Sequence, residues 1–417
     1  METRHLIPSN AKNIEVGFLM AIITEINGQQ YFNQVKLDRF AGKSVFPEVY
    51  LTLNNSLEIE TNSILEELKT IPTFPVENHL ENIPETCEIK EKSFIVGVDA
   101  GSNGAPLEGF YFGATTGIAY LSKISTKDGN IAIFSSGKPL SRGGTFRCSD
   151  CDRPRRHLSL VEFTYLYSTA LEAIIRIDPQ VVFIDGGLLL NPLFLPSKEE
   201  VSCKKEELFL EDIDLDLVEQ VLIKKKRDYF IDFLCTVYFA LELFKEGERR
   251  KIPIIGIIKR PRGFSFFNNH FPDSVVLEKA AMPLGAKTKA KFVGCHPVTS
   301  KFDILWEKFF GQKPGIRFSD KEKGYLKEFY LKTVNGREPI RVQIPYWVDD
   351  KQAATLTFAF SDNHEGVPVP ILKADALTCV SDRLLHNLHT KLSLKLNMRA
   401  KLEGLKPWET GLIRLKR

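Results

Sequence analysis

The order of apolar and polar positions divides the chain into alternating strand-like and helix-like segments. Phe94–Val98, Val181–Ile184 and Ile254–Ile258 are short continuous apolar runs, the pattern of strands buried on both faces. Phe110–Ile124 and Asn130–Ser135 are rich in β-branched and aromatic residues, and Asp128-Gly129 between them predicts a hairpin. The first of these segments therefore joins Phe94–Val98 and Asn130–Ser135 in a group of neighbouring strands, the latter pair antiparallel. Helical periodicity runs from about Leu158 to Ile177, closed by Asp178-Pro179, and a longer amphipathic stretch covers roughly Leu215 to Phe244. Later, Arg341–Ile344 and Thr355–Phe360 read as strands and Ala374–Leu388 as a helix. Near the start, Leu57, Ile59, Ile64, Leu65 and Leu68 are interleaved with acids, which predicts a helix over Ser56–Leu68 before Pro72, Pro75 and Pro84 interrupt the chain. Strands alternating with helices predict an α/β sheet with helices on its faces. The expected organisation is a mostly helical region over residues 1–90, one α/β domain over 91–390 and a basic tail over 391–417.

Composition narrows this only slightly. Apolar residues make up 43% of the 417 residues and charged residues 26%, which argues against disordered, collagen-like and coiled-coil classes. A net charge of +3 neither demands nor forbids nucleic acid. No segment is read as the ~20-residue apolar stretch of a membrane helix, and no apolar core follows Met1-Glu2-Thr3-Arg4, so neither a membrane span nor a secretory leader is expected. Seven scattered cysteines, an odd number, read as reduced thiols in a cytoplasmic protein. Cys148-x-x-Cys151 invites a zinc reading, but structural zinc takes a full set of ligands and the next candidates, Cys295-His296, are distant and wrongly patterned. Lys224–Arg227 is either a solvated helix face or a stripe that tracks phosphates. From Lys391 to Arg417, eight Lys or Arg face only Glu403 and Glu409; such a tail can hold DNA backbone, dock a partner or simply pack.

The candidate chemistry lies at the ends of the apolar runs. Val98-Asp99-Ala100-Gly101 and Ile184-Asp185-Gly186-Gly187 each place an Asp at the end of a buried strand, and Asp99–Gly104 reads as a small, polar, Gly-containing turn that closes the first. In open α/β sheets ligands bind at the carboxyl ends of strands, although an Asp there can equally start a turn or cap a helix. At ~100° per residue, Glu162 falls on the same helix side as Leu158, Leu166, Ala173 and Ile177, whereas Glu172 lies toward the edge of that face. A carboxylate among core positions must be paired, neutralised or metal-bound; an ion pair with Arg155 or Arg156 is the bland alternative for Glu162. Carboxylates converging without a His favour hard cations such as Mg²⁺ or Mn²⁺, and two such ions suit phosphodiester hydrolysis.

With these residues in view, the chain resembles the NurA nucleases. Phe94–Gly104 is similar to that family's first motif, a strand followed by Asp-Gly-Ser, and Val182–Leu188 to its second, Leu-Asp-Gly-Ser-Leu. Glu162 matches the intervening acid in order, at a longer spacing. Ile254–Lys259 resembles the family's strand ending in Lys, and Arg341–Pro345 with Gly366–Asp375 resembles its C-terminal block. In many members that block reads Tyr-Pro-x-Pro-Leu-x-x-Ala-His; here Val367 stands at the Tyr position and Asp375 at the His position. The resemblance implies an RNase H-like core, a mixed sheet flanked by helices. It also implies DNA cleavage dependent on Mn²⁺ or Mg²⁺, two ions held by Asp99, Glu162, Asp185 and Asp375, and Lys259 on the phosphate. A homodimer and a HerA-type hexameric ATPase partner are implied as well, in end processing or defence. Two other readings stay open. An actin-like ATPase also begins with strand-Asp-x-Gly, but Leu188-Leu189-Leu190 offers no hydroxyl for a phosphate loop. A non-catalytic DNA-binding or motor-regulating subunit is the other.

Overall fold

The computed structural model describes residues 47–70, 76–84, 93–107, 110–127, 130–148, 153–188, 194, 229–263, 266–267, 271–293 and 326–403. The chain divides into Met1–Pro72 and Thr73–Arg417. In the first unit the described residues are helix α1 (Pro47–Thr70), which extends the expected Ser56–Leu68 helix in both directions. Its Leu57, Ile59, Ile64 and Leu65 are exposed.

The second unit is built on an eleven-stranded sheet. Its strands are β1 (Leu80–Asn82), β2 (Phe94–Pro106), β3 (Tyr111–Lys127), β4 (Asn130–Ser135), β5 (Leu140–Cys148), β6 (Val181–Asp185), β7 (Ile254–Ile258), β8 (Ala286–Thr288), β9 (Lys291–Val293), β10 (Leu326–Leu331) and β11 (Ile340–Pro345). The order across the sheet is β1-β8-β10-β11-β7-β6-β2-β3-β4, with β5 also pairing β3 and β9 pairing β10. The pairs β2–β3 and β3–β4 are antiparallel, β2–β6 and β6–β7 are parallel, and β7–β11 is antiparallel. Leu80–Asn82 pairs with β8, so the sheet begins ahead of residue 91.

Both faces of the centre are covered. On one face Val96, Val98, Val182, Ile184 and Ile254 pack against α2 (Pro154–Ile177) and α3 (Tyr229–Arg250). On the other, Ile95, Phe183, Ile255, Ile257, Val342 and Ile344 pack against α5 (Asp350–Phe360) and α6 (Val369–Thr378). Successive residues of a strand point to opposite faces. The unbroken apolar runs are therefore what a strand needs when helices lie on both sides. Short α4 (Asp273–Lys279) and long α7 (Asp382–Leu402) complete the helices used below. By length and composition α2 could cross a membrane, against the reading that no segment approaches this. Of its apolar window, however, 67% is buried within the protein.

Three expected elements are corrected. Asp99–Gly104 is not a turn: β2 continues unbroken to Pro106, because Asp99 and Ala100 pair with Ile118 and Gly117 of β3, and Gly101, Ser102, Asn103 and Gly104 with Thr116, Thr115, Ala114 and Gly113. Thr355–Phe360 is not a strand but the second half of α5. Asp349 caps that helix by accepting from the Gln352 amide at 2.7 Å, and the hydroxyls of Thr355 and Thr357 bond back to the carbonyls of Lys351 and Ala353. Thr and Phe suit a strand, but burial of Ala353, Leu356 and Phe360 against the sheet overrides that preference. Ala374–Leu388 is not one helix: α6 stops at Thr378 and α7 starts after Ser381, whose hydroxyl accepts from the Leu384 amide. The amphipathic stretch before Tyr229, the run Lys224–Arg227, Cys151 and Cys295-His296 lie outside the described residues.

Two glycines explain how α6 reaches the sheet. Gly97, Asp99 and Gly101 share one face of β2 by alternation. A Cβ on Gly97 would sit 2.1 Å from the Pro370 carbonyl carbon, and one on Gly101 would sit 2.4 Å from the Thr378 carbonyl oxygen. The first and last turns of α6 thus rest on bare backbone either side of Asp99. Gly97→Ala is expected to destabilise the protein by about 1–3 kcal/mol, since the methyl must displace helix backbone rather than a flexible side chain; urea unfolding measures this.

Candidate active site

Asp99 is delivered by the middle of β2. Its parity places it with Gly97 and Gly101 on the face that α6 covers. Asp185 is the last residue of β6, paired in parallel beside β2 in the register Val98↔Ile184, and so projects to the same face. After it the chain turns sharply at Gly186, whose φ of 101° favours glycine. The turn is tied down: the Gly186 amide donates to the Ile257 carbonyl at 2.8 Å, and the Leu188 amide donates to the buried Gln343 side chain at 2.9 Å. Lys259 directly follows β7. Asp375 sits in α6, one turn before its end. None of these four is near another in sequence, yet the fold delivers all of them to one place.

Carboxylate oxygens of Asp99, Asp185 and Asp375 lie within 4.8 Å of one another. The Lys259 ammonium bridges two of them, 2.6 Å from Asp185 Oδ2 and 2.7 Å from Asp375 Oδ2. Asp99 is buried and receives the Thr378 hydroxyl on Oδ2 at 2.5 Å. Burial pushes the Asp99 carboxyl up to about 6; the Thr378 hydrogen bond opposes this and the charges of Asp185 and Asp375 add to it. Burial also raises Asp185, against the pull of Lys259. For Lys259, burial lowers the ammonium, but its hydrogen bonds and charge contacts with Asp185 and Asp375 outweigh this and the net direction is upward. Three converging acids, two of them bridged by one lysine and the third bonded to a neutral hydroxyl, form a site with unspent affinity for cations. The donors are all oxygen, which suits Mg²⁺ or Mn²⁺ and not the softer metals.

Glu162 is not in this group. Its carboxylate accepts a hydrogen bond from Ser102. Ser102 has the parity of Val98 and Ala100, which face α2, so Glu162 is held on the opposite face of β2 from Asp99. Burial raises its carboxyl and Ser102 partly offsets that. Glu162 points at the sheet, as its helix phase predicts, and continuation of β2 past Asp99 is what separates the two acids. The partner is Ser102, rather than the Arg155 or Arg156 considered from sequence. Glu172 is an ion-pair partner, 2.6 Å from Arg142 and 2.9 Å from Arg176. Val367 is a core residue packed with Ile371 and Phe360. Thr378 was not anticipated; an Asp followed three residues later by a Thr inside a helix is too common to stand out in a sequence.

The raised Asp99 carboxyl makes a signed prediction. A carboxyl at about 6 in the folded protein, against an ordinary value of 3.8, binds more protons in the folded state, so its contribution to stability falls as pH rises between those values. In metal-free protein, Asp99→Asn is expected to be more stable than the parent at pH 7, by at most about 3 kcal/mol. The gap should shrink as pH falls toward 4. Urea unfolding of both proteins at several pH values tests this.

The segment β4-β3-β2-β6-β7 is an antiparallel meander of three strands with two parallel strands added beside its first member. That order, with helices on both faces and acids on the two adjacent central strands, defines an RNase H-like fold. A family model described as the NurA domain matches residues 95–379, more than half of the chain, and the protein belongs to the NurA family. Among solved structures, the NurA nuclease from Sulfolobus solfataricus aligns over 85% of this chain and 98% of its own, with a TM-score of 0.58 at 19% identity. A NurA bound to dAMP and manganese aligns over 79% of this chain and 94% of its own, with a TM-score of 0.52 at 13% identity. No curated protein matches the sequence.

Proposed function

We propose that this chain is a deoxyribonuclease that hydrolyses phosphodiester bonds with Mn²⁺ or Mg²⁺. The observation that carries the reading is the meeting of Asp99, Asp185 and Asp375 within 4.8 Å. The family relative bound to dAMP and manganese supports a nucleotide-containing substrate and a divalent ion.

In this reading Asp99, Asp185 and Asp375 hold the ions, with buried Asp99 central to the set. When bound, such ions stabilise charge on a phosphate and lower the pKa of an attacking water. The three carboxylates would otherwise repel each other, and Lys259 neutralises part of that charge in their absence. Lys259 is close enough to Asp185 and Asp375 to meet the scissile phosphate once released from them. Replacement of the family's His by Asp375 adds a negative charge and an oxygen donor, which favours Mg²⁺ as well as Mn²⁺. Glu162, bonded to Ser102 across the strand, is left out of this ligand set. The resemblance to the family implies two ions, a homodimer and a HerA-type motor that delivers DNA; these belong to the proposal, and a Mn²⁺ titration counts the ions.

The test is incubation of the full chain with linear single- and double-stranded DNA, with and without Mn²⁺ or Mg²⁺, beside Asp185→Ala. Cleavage that requires the ion and is lost in the variant is the expected result. DNA binding without cleavage would instead support a motor-regulating subunit. An actin-like ATPase is disfavoured because Gly101–Gly104 stays in the strand and offers no phosphate-binding turn; ATP turnover by the chain alone would reverse that judgement.

A further inference from the structure

We propose that Thr378 is a positioning residue that fixes the orientation of the Asp99 carboxylate for a divalent ion. The inference rests on the metal-site reading above and assigns a role to a residue outside the ligand set. A carboxylate at the end of a short side chain can rotate about its terminal bond, and a rotated carboxylate presents the wrong lone pairs to an ion. The Thr378 hydroxyl opposes this rotation, donating to Oδ2 at 2.5 Å. The Thr378 hydroxyl also lies 3.0 Å from the Asp375 carbonyl oxygen. Its single proton goes to the charged and nearer acceptor, Asp99.

Thr378 is itself immobilised from three sides. Its side chain is buried. Its carbonyl oxygen accepts the Thr116 hydroxyl from β3 at 2.9 Å. Its backbone presses on Gly101, where no Cβ intervenes. The hydroxyl is therefore aimed by the sheet and not by chance of rotamer. The same residue ties the end of α6 to β2 and β3, and α6 is the helix that brings Asp375 to the cluster. Thr378 thus sets the angle of one proposed ligand and the distance to another. Partners that orient ligating groups in this way are worth about 10- to 100-fold in metal affinity.

The experiment compares Thr378→Val, which keeps the shape and loses the hydroxyl, with Thr378→Ser, which keeps the hydroxyl. Mn²⁺ affinity of the full chain is read by calorimetry and by the loss of free-ion Mn²⁺ EPR signal. The expected result is binding weakened about 10- to 100-fold in Thr378→Val and near-parental binding in Thr378→Ser. In the cleavage assay, the Mn²⁺ concentration for half-maximal rate should rise in Thr378→Val more than the rate at saturating Mn²⁺ falls. Equal Mn²⁺ affinity in Thr378→Val and the parent would overturn the proposal, as would weak binding in a folded Thr378→Ser. Circular dichroism and melting without metal check folding, and if Thr378→Val unfolds, the Ser variant and a Thr116→Val variant carry the test. Thr116→Val releases the Thr378 carbonyl and should weaken Mn²⁺ binding in the same direction; unchanged affinity there would then count against the proposal. Asp99→Asn separates the two levels of inference. If it leaves Mn²⁺ binding intact, the metal site itself is wrong; if it abolishes binding while Thr378→Val does not, only the role of Thr378 falls.

Discussion

Asp99→Asn is expected to reduce DNA cleavage by at least about 10³-fold. The change removes one charge and almost no volume, so the Thr378 hydroxyl still finds an acceptor and α6 keeps its seat on Gly97 and Gly101. What disappears is the buried negative charge facing Asp185 and Asp375. Metal binding should fall in parallel, read by Mn²⁺ calorimetry, while metal-free stability rises at pH 7 because the buried carboxyl no longer has to ionise. That opposition distinguishes a lost ligand from general damage: a merely misfolded variant would lose both. A variant that bound Mn²⁺ normally and still failed to cut would place the ions elsewhere.

Lys259→Met is expected to act in two directions at once. Its ammonium now bridges Asp185 and Asp375 at 2.6 and 2.7 Å, so a cation entering between them must displace it. A unit charge about 4 Å away is worth about 4 kcal/mol at an effective dielectric constant of 20, and release of the flexible lysine to solvent recovers much of that. Mn²⁺ affinity should therefore rise, by about tenfold or more. Cleavage should nevertheless fall by about 10²- to 10³-fold at saturating Mn²⁺, because the charge that would face the phosphate in the transition state is gone. Calorimetry and single-turnover cleavage on the same protein separate the two. If Lys259 only neutralised the acids, affinity would rise with no loss of rate; if it only held the fold together, both would fall.

Much of the centre of the sheet was legible because its strands are buried on both faces. Phe94–Val98, Val181–Ile184 and Ile254–Ile258 had to be continuous apolar runs, and at that length an unbroken run between turn residues suits a doubly covered strand better than a helix. Edge elements were not legible. β5, with Leu140-Ser141-Arg142-Gly143-Gly144, alternates between half-buried and exposed positions and has no apolar signature. β1, β8 and β9 are three residues each, too short for any periodicity. Thr355–Phe360 hides its helix for a different reason: its Thr and Phe residues suit a strand and pack as helix only because the sheet lies beneath them.

Apolar run length alone marked Asp99 and Asp185 as acids that follow buried strands and Lys259 as the residue that follows another, and the family resemblance put Asp375 in the C-terminal block. Those are local facts, set by apolar run length and by where polar residues interrupt it. Which of them meet depends on pairing and packing that no local pattern encodes. Face selection along a strand depends on whether the strand continues, and β2 runs past Asp99 because β3 supplies backbone partners for Gly101–Gly104. That pairing turns Ser102 and Glu162 to one side of the sheet and leaves Asp99 on the other. There, the bare backbone of two glycines lets α6 bring in Asp375 and Thr378, residues more than 270 positions away.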